Sequence, residues 1–354
     1  MIINQNSDFL FIYQSTLCNP NGDADQENKP RMDYETSTAL VSDARIKRNI
    51  RDFLKEKGYR IFVDFLAEQK VPMEVMFAHI RDLFLQDKNR MKELFNARSD
   101  MKEQWVKVFG KNDDFYDTYM KFLETKKDKA EKDKDFTKFN NAFLTEIVKM
   151  ELVDIRLFGS AMAVKGVSKT FTGPIQINWG YSLHPVDLVK SNTITSIMNE
   201  DSSTFGKKYK LHYALIAHYG TINKYNAKET GMTNKDHENF RKAIVQSIMA
   251  NQTDSKQGQE PLLYLEISYK PEFDGYLGDL RRFLSVTHKE NTIRSIDDVK
   301  TDFSDLKETI IKMKDKGYIE AVRAWSHPFA KNGQFINIPK YEELDLWAPL
   351  KMEG

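Results

Sequence analysis

The chain has 354 residues, of which 40% are hydrophobic and 30% charged, a balance typical of a globular protein that buries one large or two smaller cores. Its formal net charge of +1 excludes a global basic field, so any nucleic-acid surface must be confined to one face. The single cysteine, Cys18, excludes an internal disulfide framework and a cysteine-based metal site, and without a secretion signal or membrane span it predicts a cytoplasmic protein.

The first predicted unit is a strand, a turn-rich loop and a helix. The strand covers Asp8–Ser15, where apolar residues occupy both alternating faces, as in a strand buried on both sides. The loop, 17–41, contains Asn19-Pro20-Asn21-Gly22-Asp23, whose residue types favour a tight turn with exposed backbone N–H groups. The helix is expected over 42–57, with Ser42 as its N-cap.

One face of this helix is basic. At helical spacing, Lys47, Arg48, Arg51 and Lys55 form an arc beside an apolar stripe, and the arc itself is expected to contain no acid. Backbone N–H groups and cations in one place suit phosphate groups. Taken alone, however, the residue types of the loop favour an ordinary tight turn, and the helix is equally a solvated charged face.

Residues 64–150 have a different character. Apolar residues recur at helical intervals, and Gly and Pro are almost absent. The mixed-charge run 125–135 is an exposed helix or a mobile connection. This region is predicted to be a helical insertion into a mixed α/β domain.

The second half alternates strands and helices. Removing the insertions leaves the order β-α-β…β-α-β, which predicts an α+β, ferredoxin-like fold shared by RNA-recognition modules. The expected elements are strands at Leu152–Phe158, Pro174–Tyr181, Lys210–Tyr219 and Pro261–Tyr269, a protruding hairpin at 186–206, and a helix from the capping box at Thr233 to Ala250.

The segment 156–174 is rich in small residues and carries two lysines without an acid. It lacks the P-loop pattern, which argues against a nucleoside triphosphatase and leaves a glycine-lined channel for an oligonucleotide backbone as an open possibility. Trp179 and Tyr181 lie on one predicted strand face and are either base-stacking or core residues. The residues singled out in the segment are Gly159, Ser160, Lys165 and Lys169.

The acidic residues of the first loop are the candidate metal ligands. Asp23, Asp25, Asp33 and Glu35 could hold Mg²⁺ or simply be solvated. No Ser-His-Asp or Cys-His pairing can be argued from the sequence, and no cofactor is expected.

Three ordered motifs resemble the Cas-seven family, the backbone subunits of CRISPR Cascade complexes in the RAMP superfamily. They are Asn19–Asp23 with Pro30–Asp33, Val41–Arg51, and Phe171–Val186. The last motif resembles specifically the type I-B, Csh-two-like branch. The resemblance spans roughly 8–57 and 153–285.

The resemblance implies an RRM-like palm, helical fingers and a thumb β-hairpin. It assigns 1–63 and 151–185 to the palm, 64–150 to the fingers, 186–207 to the thumb, and 208–354 to the rest of the palm and a C-terminal tail. It also implies that copies of the chain form a filament on CRISPR RNA and display the guide for pairing with target DNA. The partners it implies are Cas-five, Cas-eight and small-subunit proteins, and it implies no membrane association. The RNA-binding residues expected are Asn19, Asn21, Gly22, Arg31, Arg45, Lys47, Arg48, Arg51, Gly159, Ser160, Lys165, Lys169 and Trp179.

Two other functions stay open. Related type III subunits cut target RNA with an Asp in an early loop, so Asp23 or Asp33 could serve a metal-dependent ribonuclease. In type I systems a separate helicase-nuclease cuts DNA, so the resemblance implies no catalytic residue here. Alternatively, the basic helix binds an acidic protein and the chain is a scaffold.

Overall fold

The computed structural model describes residues 1–62, 73–126, 133–161, 170–191, 193–199, 202–289, 292–331 and 334–352. The chain divides into two compact units. We call them the sheet unit (Met1–Tyr59, Pro174–Lys228 and Met232–Gly354) and the helical unit (Arg60–Gly173 and Glu229–Gly231).

The α-helices of the described residues are named in chain order. They are α1 (Asp43–Glu56), α2 (Met73–Gln86), α3 (Lys88–Ala97), α4 (Ser99–Phe109), α5 (Phe115–Lys126), α6 (Lys134–Glu151), α7 (Val153–Phe158), α8 (Lys224–Thr230), α9 (Asn234–Ala250) and α10 (Ser304–Asp315). Among these residues, no helix combines the length and apolar composition needed to cross a bilayer.

The strands are numbered in the same way. They are β1 (Ser7–Cys18), β2 (Gly22–Asp23), β3 (Lys29–Pro30), β4 (Met32–Asp33), β5 (Thr38–Val41), β6 (Gly159–Ala161), β7 (Thr170–Thr172), β8 (Ile175–Ile177), β9 (Gly180–Ser182), β10 (Thr193–Asn199), β11 (Ser202–Lys207), β12 (Leu211–Ile222), β13 (Gln259–Tyr269), β14 (Ser285–His288), β15 (Val299–Asp302), β16 (Ile319–Ser326), β17 (Phe335–Ile336) and β18 (Glu342–Glu343).

The sheet unit is built on one large sheet with β1 at its centre. In the described part of the chain the strand order is β18-β16-β13-β1-β12-β9-β5-β4, and β8 also pairs with β12. β1 is antiparallel to both β12 and β13. Because neighbours cover both its edges and both its faces, β1 is almost entirely buried, which confirms the prediction of a doubly buried strand.

Each face of this sheet has its own core. On one face, Phe9 of β1 packs edge-on against Phe240 of α9, with ring centroids 5.4 Å apart, and α1 packs beside α9. On the other face, Leu10 and Ile12 belong to an apolar cluster with Leu306 of α10. The single strand β1 therefore contributes to both cores, which fixes its register firmly.

The helical unit holds α2–α7 around an aromatic core. Trp105 of α4 lies 4.3 Å from Phe109 and 5.6 Å from Phe139, measured between ring centroids. Tyr119 of α5 is buried in the same cluster. The helices predicted for 64–150 are confirmed over its described residues.

Several predicted elements are confirmed and others are wrong. Ser42 caps α1 and the Thr233 capping box opens α9, as predicted, and β10 pairs with β11 as the expected hairpin. A strand was predicted at Leu152–Phe158, but Val153–Phe158 forms the helix α7. Almost every residue of α7 is buried, so alternation of apolar and polar residues could not distinguish a helix from a strand there. The loop 17–41 contains two short hairpins, β2–β3 and β4–β5, and the predicted strand 174–181 is broken into β8 and β9.

Candidate nucleic-acid interface

The loop after β1 is fastened to the start of α1 by the side chain of Asn21. Asn21 Oδ1 accepts hydrogen bonds from the backbone N–H and from the hydroxyl of Ser42, each at 2.9 Å. The Ser42 hydroxyl also accepts from the N–H of Arg45 at 3.3 Å, as an N-cap does. The loop and the basic helix are therefore held in one fixed arrangement.

Asn19 and Gly22 shape the same loop. Asn19 Nδ2 donates to the carbonyl of Asn28 at 2.8 Å, and the Asn19 N–H donates to the carbonyl of Ser255 at 2.8 Å. A Cβ on Gly22 would lie 1.8 Å from Asn28 Oδ1, so a side chain there would displace Asn28. The Asn19 and Asn21 side chains are buried; Asn19 Nδ2 and both polar atoms of the Asn21 amide hold the loop, while Asn19 Oδ1 has no hydrogen-bond partner among the described residues.

A cation and an exposed aromatic ring lie beside the loop. Arg31 Nη2 is 3.1 Å from Asp23 Oδ1, and its guanidinium carbon is 5.4 Å from the ring centroid of Trp179. Trp179 is 44% exposed, which is unusual for so large an apolar side chain. An exposed indole next to a guanidinium is a suitable platform for a nucleobase.

Arg281, which sequence reasoning missed, fixes the backbone of Trp179. Its Nη1 donates to the Trp179 carbonyl at 2.8 Å, and its guanidinium carbon lies 4.1 Å from the ring centroid of Tyr181. Asp279 pairs with the same guanidinium at 2.6 Å. Trp179 precedes β9 rather than lying in it, so the expectation that it shares a strand face with Tyr181 is wrong, and Tyr181 packs under Arg281.

Acids flank the basic arc of α1 and pair with two of its cations. Lys47 Nζ lies 2.9 Å from Asp43 Oδ2, and Arg48 Nε lies 2.8 Å from Asp52 Oδ1. Both are i,i+4 pairs, but only Arg48–Asp52 is well exposed, and such a pair stabilises by only about 0.3–0.5 kcal/mol. The Lys47 side chain is 15% exposed. The carboxylate of Asp52 is therefore the one that an anion displaces at small cost. Arg51 is half-buried on the same helix.

Lys256 reaches the loop from the turn between α9 and β13. Its Nζ donates to the carbonyls of Asn19 and Pro20, at 2.6 and 3.1 Å. Burial, and then the nearby charge of Arg45, lower the pKa of Lys256 to about 8. Burial also lowers the pKa of Arg45. No sequence motif marks Lys256, because its partners are backbone carbonyls more than 230 residues away.

The end of the hairpin forms a polar cavity of about 280 Å³ next to the loop. Tyr209 donates to Glu27 at 2.7 Å, and Lys29 lies 5.3 Å from the Tyr209 ring centroid. Lys208 forms an ion pair with Asp254. The cavity walls thus carry cations that are already matched by carboxylates.

The small-residue segment belongs to the helical unit, and its glycines have a structural reason. Gly159 has φ +69°, and a Cβ on it would lie 2.1 Å from the carbonyl oxygen of Phe171. A Cβ on Gly173 would lie 2.1 Å from the carbonyl carbon of Phe158. The close approach these glycines permit is between β6 and β7 themselves. Ser160 lies in β6, while Lys165 and Lys169 fall outside the described residues.

The loop acids hold turns. Asp23 accepts from the N–H of Asp25 at 3.2 Å as well as pairing with Arg31, and Asp33 accepts from the Thr36 hydroxyl at 2.8 Å. The Thr36 hydroxyl, followed by a backbone N–H, lowers the pKa of Asp33. Within the described residues, no group of three or more His, Cys, Asp and Glu side chains is placed to hold a metal ion.

Over most of its length this chain is similar to a curated protein, and two chains from solved structures match it at lower identity. The curated CRISPR-associated protein Cas7 of Haloferax volcanii is 25% identical over 335 residues, covering 88% of this chain and 84% of that protein. Two chains from solved structures are more distant. One, described as a CRISPR RNA-guided surveillance complex, pre-nicking, has 14% identity and a TM-score of 0.46 over 95% of this chain and 96% of its own. The other, described as a CRISPR RNA-guided surveillance complex, has 12% identity and a TM-score of 0.44 over 94% and 96%.

The family assignment rests on the match to a family model rather than on these distant structures. The model described as CRISPR-associated protein Cas7 matches residues 5–304, which include β1, the loop, α1 and Trp179. The chain belongs to the CRISPR-associated protein Cas7 family, the Cas-seven family that its motifs resemble.

Proposed function

We propose that this chain is a CRISPR RNA-binding backbone subunit of a type I Cascade surveillance complex. Copies of it polymerise along the guide RNA and present the guide for pairing with target DNA in antiviral defence. One observation carries this proposal: the sheet unit combines the Asn21-anchored loop, the cations of α1 and the exposed Trp179. The chain that carries them belongs to the Cas7 family.

This surface suits RNA of any sequence. Backbone N–H groups and cations contact phosphates, which every nucleotide carries, and an exposed indole stacks on any base. The paired acids Asp43 and Asp52 keep the helix soluble before RNA arrives, and Asp52 is displaced at small cost. A backbone subunit must bind RNA independently of sequence because the guide RNAs that it carries differ in sequence.

The finer family features support the same proposal. The order β13-β1-β12-β9, with every neighbouring pair antiparallel, supports a ferredoxin-like palm. We assign 64–150 to the fingers and the β10–β11 hairpin, within 186–207, to the thumb. The motif Phe171–Val186 supports the type I-B branch, with Cas-five, Cas-eight and small-subunit partners.

We propose a binding role rather than catalysis, in a reducing cytoplasm. In the two residues that a ribonuclease mechanism would use, Asp23 Oδ1 accepts from the Asp25 N–H and from Arg31, and both carboxylate oxygens of Asp33 accept hydrogen bonds within its turn. Cys18 is buried and free, as suits a reducing compartment.

RNA binding is tested by charge reversal on α1. Purified protein is titrated with unrelated RNA sequences at several salt concentrations, comparing wild type with Arg48→Glu/Arg51→Glu. We expect the double variant to bind all sequences more weakly and with a shallower salt slope, because phosphate contacts are lost. Lys312→Glu/Lys314→Glu, two exposed lysines of α10, is the matched control because it changes the net charge by the same amount. Unchanged affinity in the α1 variant refutes this site.

The ribonuclease alternative is tested with the assembled complex. Guide-complementary RNA is incubated with Mg²⁺ and the assembly, and the products are separated by size. We expect intact RNA. Cleavage that disappears in Asp33→Ala overturns the non-enzymatic proposal.

A further inference from the structure

Lys256 is unusual because a long cation turns inward onto a loop. Two of the three N–H donors of its ammonium go to the carbonyls of Asn19 and Pro20. Both acceptors belong to the loop that carries the proposed phosphate contacts. These two bonds keep the ammonium, and with it the third N–H donor, next to the loop. In most surface lysines the ammonium is instead fully solvated.

Arg45 approaches the same place from α1. It is half-buried, and its Nε is buried without a hydrogen-bond acceptor among the described residues. A buried guanidinium donor normally finds an acceptor, since leaving it unpaired costs free energy. An oxygen-rich anion between Arg45 and Lys256 would provide one.

The charges facing these two cations do not neutralise both. Arg45 faces Asp52, Tyr13 and Arg48, and Asp52 is engaged with Arg48 at 2.8 Å. Lys256 faces Arg45 and Cys18, and burial raises the pKa of that thiol to about 11, so it stays neutral.

Lys210 and Asp254 complete the surroundings. The charge of Lys210 acts to lower the pKa of both Cys18 and Asp254, and Asp254 forms an ion pair with Lys208. The half-buried Arg45 and Lys256 therefore repel each other, and no carboxylate forms an ion pair with either of them among the described residues.

We propose that Lys256 and Arg45 together bind one phosphate group of the RNA, beside the Asn19–Asp23 loop. This inference rests on the proposed function and deepens it, because it adds a residue outside the recognised motifs. It also adds a regulatory property. A bound phosphate stabilises the charged ammonium, so RNA binding takes up a proton wherever free Lys256 is partly neutral.

The sign of the pH dependence follows from the free-state pKa of about 8. Below that pH, Lys256 is charged both free and bound, and affinity does not depend on its protonation. Above it, free protein must first take up a proton, so affinity falls by up to about tenfold for each pH unit. Inorganic phosphate offers the same chemistry and competes for the site.

The experiment measures binding of fluorescent oligoadenylate to the full chain by anisotropy between about pH 7 and pH 9.5, a range in which lysine with a lowered pKa titrates. Adenine does not ionise in this range. The proteins compared are wild type, Lys256→Met, Lys256→Arg and Lys242→Met. Lys242 is a comparably buried lysine on α9 that pairs with Glu238, and serves as the control. A parallel series adds inorganic phosphate at constant ionic strength.

We expect wild type and Lys242→Met to lose affinity as pH rises above about 8. Lys256→Met should bind more weakly at pH 7 with a flat profile, and Lys256→Arg should also be flat, because arginine stays charged. Phosphate should compete with RNA on wild type more strongly than on Lys256→Met.

Three outcomes overturn the proposal. If wild type binds RNA with a flat profile, or if the Lys256 variants keep its slope, Lys256 is not a phosphate ligand although the chain binds RNA. If wild type binds no RNA but binds phosphate through Lys256, the site serves a free anion and the proposed function fails. If neither ligand binds, both proposals fail.

Discussion

Asn21 Oδ1 accepts hydrogen bonds from both the N–H and the hydroxyl of Ser42, which lies 21 residues further along the chain. Ser42 is also the N-cap of α1, so one amide oxygen joins the loop after β1 to the helix that carries the basic residues. The relative position of backbone N–H groups and cations is therefore set before any ligand binds. Such preorganisation reduces the ordering cost of binding.

Replacing Asn21 by Ala should destabilise the sheet unit by about 1–3 kcal/mol, because it leaves partly buried Ser42 donors without an acceptor. A double-mutant cycle with Ser42→Ala isolates the pair. Unfolding in urea is followed by tryptophan fluorescence in a Trp105→Phe background, where the remaining tryptophans all lie in the sheet unit. A coupling energy near zero would show that the two side chains act independently.

The elements whose determinants are local were predictable. β1 needs only an apolar run between polar ends, and α1 needs only its cap and apolar stripe. Val153–Phe158 was mistaken for a strand because its burial comes from neighbouring helices, which short-range alternation cannot reveal. β16 was missed for a similar reason, because it becomes a strand by pairing with the distant β13.

The candidate site shows the same division. The loop and the cations of α1 form motifs in the sequence, but the ion pairs that partly neutralise Lys47 and Arg48 depend on side-chain geometry, which the sequence does not contain. Arg281 and Lys256 act on backbone carbonyls of Trp179, Asn19 and Pro20, and contacts to backbone leave no trace in the identity of the partner residue.

Neutralising the acids of α1 should strengthen RNA binding. Asp43 and Asp52 compete with phosphate for Lys47 and Arg48, so Asp43→Asn/Asp52→Asn should raise affinity by up to about fivefold per pair, the worth of an exposed ion pair. Anisotropy titrations at low salt measure this, and the gain should shrink at high salt. Asp305→Asn/Glu308→Gln on α10 controls for net charge because it removes the same number of acids. Unaltered or weaker binding would mean that these cations do not contact RNA.

Removing the Trp179 ring should weaken RNA binding by about 1–3 kcal/mol, the usual worth of one base–aromatic stack. Trp179→Phe should keep much of this affinity, and the loss should be similar for different sequences. Trp347→Ala removes another half-exposed tryptophan of the sheet unit and should bind RNA like wild type. Equal losses in the two alanine variants would show a general effect on the unit rather than stacking at Trp179.

His218 should make the sheet unit sensitive to acid. It is fully buried, stacks on Tyr13 with ring centroids 6.0 Å apart, and its Nδ1 lies 3.1 Å from the Asn178 carbonyl. Desolvation by burial lowers its pKa to about 4. The hydrogen bond with the Asn178 carbonyl and the charge of Asp43 oppose this lowering of the pKa, and the charge of Arg281 adds to it, but desolvation is the largest cause. The folded state therefore holds His218 neutral well below the pH at which a solvated histidine charges.

Because an unfolded histidine titrates near 6.5, the unfolded state binds a proton between that pH and about 4 while the folded state does not. Stability contributed by neutral His218 is thus complete above about pH 6.5 and is lost as pH falls toward 4, by about 3 kcal/mol in all. His218→Phe loses the hydrogen bond with the Asn178 carbonyl, so it should be less stable at neutral pH. Because it also lacks the titrating group, its free energy of unfolding should fall correspondingly less on acidification. Urea unfolding at a series of pH values in the Trp105→Phe background measures both slopes. Parallel curves for the two proteins would show that His218 charges equally in both states.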